Sequence, residues 1–125
     1  MKKVVIEVGE MTFTAQLNHS HTAKAVWKVL PLEREVNCWG DEIYFDIPVD
    51  EKLDSQAKEE VAMGTIAYWP TGKTLCIFFG RTPVSIGNRP RAYSPVNIVG
   101  AIKEDSRKLR TVQSGAVIRI KRLGD

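Results

Sequence analysis

Few side chains in this sequence combine a reactive type with a spacing that chemistry can use. His19 and His21 flank Ser20, with Cys38 further along. Two imidazoles at i and i+2 lack the usual spacing of zinc ligands and have no fourth ligand near, so they read as solvated residues at a helix start. Cys76 sits in the apolar run Thr74–Phe79, TLCIFF, where a thiol is buried and inert rather than nucleophilic. The stretch Gly80–Gly87, GRTPVSIG, has neither the lysine of a phosphate loop nor a helix after it. Two groups of residues remain. Arg81, Arg89 and Arg91 offer fixed cations with several donors, and Tyr44, Tyr68, Trp69, Phe78 and Tyr93 offer walls for a groove. The competing reading of those aromatics is simple packing, which claims Phe78 and one of Tyr68 or Trp69. The Lys and Arg residues of 103–122 lack interleaved aromatics, and strand alternation disperses them. They read as a solvated face rather than a nucleic-acid stripe.

These residues need a frame, and Gly64–Gly80, GTIAYWPTGKTLCIFFG, is its centre. It reads as two apolar strands, Thr65–Trp69 and Thr74–Phe79, joined by a turn at Pro70-Thr71-Gly72-Lys73. Alternation puts Leu75, Ile77 and Phe79 on one side and Cys76 and Phe78 on the other. Both sides are apolar, so one faces a core while the other lines a groove or lies under another element. Upstream, residues 4–17 alternate as a hairpin about Gly9-Glu10. Ser20 caps a short helix bearing Ala23, Val26, Trp27 and Leu30 on one face, which must dock on a sheet through Trp27. Residues 31–41 read as loop and Glu42–Pro48 as strand, with Ile43, Phe45 and Ile47 on one side and Tyr44 and Asp46 on the other. Asp50–Glu60 reads as loop or weak helix, and Arg81–Ser94, rich in Pro, Gly, Asn and Arg, as a long loop. Pro95–Ile102 is a strand, 103–114 holds one or two helical turns, and Gly115–Leu123 is the last strand.

With 125 residues, a single domain is expected over 1–125. Residues 1–62 carry 7 Lys/Arg against 12 Asp/Glu, and residues 63–125 carry 11 against 3. One compact fold with interleaved halves neutralises that asymmetry, and no Gly/Ser/Pro-rich linker divides the chain. The first apolar run breaks at Glu7, no run approaches a membrane span, and Cys38 and Cys76 suit reduced thiols. A cytoplasmic protein without membrane contact is expected. Short strands, small helices and no repeat point to an antiparallel barrel or sandwich. If the first and last strands meet, Glu7 pairs across them with Arg119 or Lys121.

In order, the blocks resemble a cyclophilin, and more closely the short bacterial and archaeal cyclophilin-like family. They are an N-terminal hairpin, a helix opening Thr22-Ala23, the strand EIYFDIP, the hairpin GTIAYWPTGKTLCIFFG, and PVNIVGAIKED near the end. The resemblance covers nearly the whole chain and implies a mainly β fold, a closed antiparallel barrel of about eight strands capped by one or two short helices. It further implies a groove that binds proline-containing peptide segments and a peptidyl-prolyl cis-trans isomerase activity needing no cofactor or metal. Such catalysis requires an apolar proline pocket and a donor beside the prolyl nitrogen, because the rotating amide surrenders resonance over a barrier of about 18–20 kcal/mol.

Here the resemblance also implies a departure. The family's catalytic arginine column falls on Asp46, which cannot donate when ionised, and its groove histidine falls near Val96 or Asn97. The groove expected from this alignment is formed by Phe45, Ile47, Cys76, Phe78 and Tyr93. Arg91 would supply the missing donor from the loop, oriented by Asp46. The alternative is a non-catalytic barrel that binds a peptide or a small ligand.

Overall fold

The computed structural model describes residues 1–124. Strands β1 (Lys2–Val8) and β2 (Met11–Leu17) form the opening hairpin, with Val4, Ile6, Val8, Phe13, Ala15 and Leu17 turned to the core. Helix α1 (His21–Val29) starts where the Ser20 hydroxyl accepts the Ala23 N–H at 3.1 Å, and it ends at Leu30, before Pro31. It buries Thr22, Ala23 and Val26. Trp27 is only half-buried and does not plug the core. Its ring packs at the margin of the core, 5.0 Å from the Lys2 ammonium and 5.0 Å from the Arg122 guanidinium, while Ala23 and Val26 are buried within it.

Residues 31–41 are not all loop. They hold β3 (Leu32–Glu35) and β4 (Asn37–Cys38), short strands recruited by pairing that no local pattern announces. Then come β5 (Glu42–Asp46), β6 (Lys58–Glu60), β7 (Thr65–Trp69), β8 (Thr74–Phe78) and β9 (Arg91–Ile102). A short 3-10 helix (Ser106–Thr111) and β10 (Val117–Arg122) complete the chain. β9 begins four residues ahead of Pro95, because Arg91 pairs with Glu60 on β6, across a ladder that is irregular between Lys58 and Glu60. The proline, with no N–H to give, lies within that irregular stretch.

The strands join in one antiparallel sheet in the order β3-β10-β1-β2-β9-β7-β8-β5-β4, with β6 added beside β9. β1 and β10 do meet, and Lys121 reaches Glu7 at 3.1 Å. The sheet is nevertheless not closed into a barrel, contrary to what the resemblance implies. β3 and β4 end the path as successive segments separated by Val36, each paired with a different neighbour, and no ladder joins them. A side chain bridges instead: Arg34 Nε donates to the Asp46 carbonyl at 3.0 Å. The described helices are one α-helix and one 3-10 turn, and none is long and apolar enough to cross a membrane.

Curvature wraps the sheet around one large core containing Ile43, Phe45, Ile47, Ile66, Tyr68, Leu75, Ile77 and Phe79. On the opposite face of β7, β8 and β9 a smaller cluster forms from Val61, Ala67, Cys76, Phe78, Ala92 and Val96. The two apolar sides of the central hairpin are thereby both accounted for. Ion pairs Arg119–Glu33, Arg110–Asp41 and Arg91–Glu59 link the basic second half to the acidic first half, as one interleaved fold requires.

Candidate functional site

Register on the outer face decides what can form a site. In β5 and β8 the pairs Glu42↔Phe78, Tyr44↔Cys76 and Asp46↔Thr74 are directly opposed. Paired residues in an antiparallel ladder project to the same face. Trp69 on β7 opposes Thr74 and so joins that surface. Here lies a pocket of about 280 Å³, lined by Glu42, Tyr44, Thr74, Cys76, Phe78 and Trp69 from the sheet, with Trp39, Ala92 and Tyr93 around it.

Two local devices bring in the surrounding residues. Trp39 and Glu42 flank the two-residue turn Gly40-Asp41, and the Trp39 N–H donates to the Glu42 carbonyl at 2.9 Å. Gly40 adopts φ +59° there, and a Cβ on it would stand 2.9 Å from the Arg81 carbonyl oxygen, so glycine answers both the turn and the close approach. On the other side, the loop after β8 is tied down as it returns: the Thr82 hydroxyl donates to the Arg91 carbonyl, and the Ser85 hydroxyl to the Arg89 carbonyl at 2.9 Å. Tyr93 then stands edge-on between the two indoles, 6.2 Å from Trp39 and 6.1 Å from Trp69 between ring centroids. Trp69 is itself anchored, its indole N–H donating to the Ser94 hydroxyl at 2.6 Å.

Glu42 sets the electrostatics. Only 5% of it is exposed, and burial pushes its carboxyl from 4.5 up to about 7, with the Cys76 thiol drawing it partway back. Burial also raises the Cys76 thiol, and the Glu42 charge adds to that rise. Cys76 therefore stays a protonated, unreactive thiol at neutral pH.

Of the residues the sequence nominates, Cys76, Phe78 and Tyr93 come together in the pocket, joined by Tyr44 and Trp69. Phe45 and Ile47 do not. They are 1% and 4% exposed within the main core, because the alternation that turns Glu42 and Tyr44 outward turns Ile43, Phe45 and Ile47 inward. Tyr68 is in the core as well, its hydroxyl donating to the Val49 carbonyl at 2.6 Å. Asp46 lies outside the pocket, exposed at the end of β5.

Arg91 stands beside the pocket residues Ala92 and Tyr93 but pairs with Glu59 at 3.2 Å rather than with Asp46. Arg81 donates to the Ser85 carbonyl and Arg89 to the Val61 carbonyl. None of the three lines the pocket. Asn97, which with Val96 is where the resemblance puts the groove histidine, is a buried latch: its amide nitrogen donates to Thr22 Oγ1 and the Lys52 carbonyl, and its oxygen accepts the Asp54 N–H. His21 meets Glu51 at 2.8 Å at the foot of α1, and His19 is exposed. Trp39 and Glu42 are the residues that sequence reasoning passed over. The signal was there, in a carboxylate at the head of the apolar alternation EIYF, two residues after a Trp-Gly turn.

A family model described as Cyclophilin-like matches residues 2–121. The fold is similar to the solution structure of a hypothetical protein from Archaeoglobus fulgidus, with 31% identity, a TM-score of 0.81, and coverage of 98% of this chain and 95% of that one. No curated protein matches the sequence.

Proposed function

The chain belongs to the cyclophilin-like family, and from that premise we propose that it is a non-catalytic binding module whose outer-face pocket receives a small ligand or one side chain of a peptide. One observation carries this reading. The pocket is walled by Trp39, Tyr44, Trp69, Phe78 and Tyr93, and no lysine or arginine is among the described residues that line it. Concave aromatic surface with a few polar groups is the usual composition of ligand sites.

Prolyl isomerisation, the activity that the resemblance implies, asks for a donor held beside the prolyl nitrogen in the twisted state. Arg91 is engaged by Glu59, and Asp46 is exposed beyond the pocket, which supports binding without this catalysis. A proline-containing peptide remains one form the ligand can take, with its ring against the indoles. The direct test is an NMR titration of the protein with a panel of short proline-containing peptides and small neutral and charged fragments. Shifts confined to the side chains of Trp39, Trp69 and Tyr93 support the reading. A panel that leaves all three unmoved overturns it.

A further inference from the structure

Glu42 is the one pocket group that aromatic binding alone leaves without a task. It is almost completely buried, yet among the described residues no Lys, Arg or His lies within ion-pair distance of it. The nearby charges are spent elsewhere: Arg110 holds Asp41 at 3.1 Å, and Arg91 holds Glu59. A carboxylate taken out of water without a counter-charge is strongly unfavourable, so such a group either keeps a proton or recruits a cation.

The walls decide between these. Trp, Tyr and Phe rings present negative faces that attract a desolvated ammonium, and Trp does so best. Two indoles and Tyr93, locked edge to face, surround the same space that Glu42 enters. A purely apolar ligand would leave the carboxyl uncompensated. Resting on the reading of this pocket as a binding site, we infer that its ligand carries an alkylammonium head, held by the aromatic walls and neutralised by Glu42. That head is either free or the end of a lysine side chain. Its chemistry is the same in both, and the carboxyl's rise to about 7 means that ligand and proton compete near neutral pH.

The experiment is an NMR titration of the whole chain at pH 8, reading the indole N–H signals of Trp39, Trp69 and Trp27. Choline represents a free ammonium, a short peptide bearing trimethyl-lysine represents the side-chain source, and 3,3-dimethylbutan-1-ol is choline's uncharged isostere. Choline or the peptide should shift Trp39 and Trp69 but not Trp27, with affinity about tenfold above that of the isostere. The tighter of the two identifies the source. Glu42→Gln, nearly isosteric, should lose about tenfold of the cationic binding and none of the neutral binding. Tyr93→Ala, at an exposed wall, tests the cage without touching the core and should weaken cation binding by a few-fold. Equal binding of choline and its isostere, or unchanged cation affinity in both variants, overturns the inference. If only uncharged probes move Trp39 and Trp69, the ammonium inference fails and the binding site stands. If no probe moves them, both fail.

Discussion

Trp39 and Glu42 face one another across Gly40-Asp41, joined by a main-chain hydrogen bond of 2.9 Å. The pocket's first indole and its buried carboxyl are thus held in register by backbone rather than by side-chain packing. Glycine at φ +59° is what lets the chain turn tightly enough to do this. Gly40→Ala should therefore destabilise the fold by about 1–3 kcal/mol, through the left-handed backbone and the Cβ crowding the Arg81 carbonyl. Urea unfolding measures that cost. The Trp39 signals should shift while those of Trp27, on the far helix, stay in place.

Stability should depend on Glu42 ionisation. In the folded chain its carboxyl titrates at about 7, against 4.5 as the ordinary value. Between those values the native state holds a proton that the unfolded state has released. The contribution is fully present below about 4.5 and is lost as pH rises through about 7. The magnitude is on the order of 3 kcal/mol. Glu42→Gln should remove this part of the pH dependence and be more stable than wild type at pH 8. Urea midpoints of both proteins at pH 5 and pH 8 check it, and parallel profiles would remove Glu42 as the cause.

Phe45 and Tyr93 should separate stability from binding. Phe45, at 1% exposure, packs in the main core, so Phe45→Ala should cost about 3–5 kcal/mol. Tyr93 is 70% exposed, and Tyr93→Ala should cost less than about 1 kcal/mol while weakening ligand binding at the pocket. Thermal melting read beside a ligand titration distinguishes the two. The reverse pattern would mean that the sequence alignment, with Phe45 in the groove, describes the site better than the register does.

Much of the frame is legible in the sequence because it rests on short-range pattern. The Ser20 cap and the split of Leu75, Ile77 and Phe79 from Cys76 and Phe78 follow from alternation and local chemistry, whereas for Glu7 the sequence offers Arg119 or Lys121 and the structure selects Lys121. The rest depends on long-range pairing. Nothing within Leu32–Cys38 says that its two halves will pair with different strands and leave the sheet open. The placement of Phe45 and Ile47 turns on which side of EIYFDI faces the core. Both sides carry large residues, and the more apolar one, which the resemblance turns toward the groove, is the one that fills the core. Trp39, in a stretch that reads as loop, enters the site only because Gly40 folds it back onto Glu42. Trp27 illustrates the opposite case, a large aromatic on the docking face that packs only at the margin of the core, its ring flanked by Lys2 and Arg122.

The most direct test of binding without isomerase catalysis is a prolyl isomerisation assay on a short peptide, with protein at concentrations comparable to substrate. Uncatalysed rotation relaxes over tens to hundreds of seconds, so even weak acceleration is visible. The structure leads us to expect relaxation indistinguishable from the uncatalysed rate, in wild type and in Arg91→Ala alike. Acceleration proportional to protein concentration and lost in Arg91→Ala would contradict it, and would mean that Arg91 leaves Glu59 to serve the prolyl nitrogen.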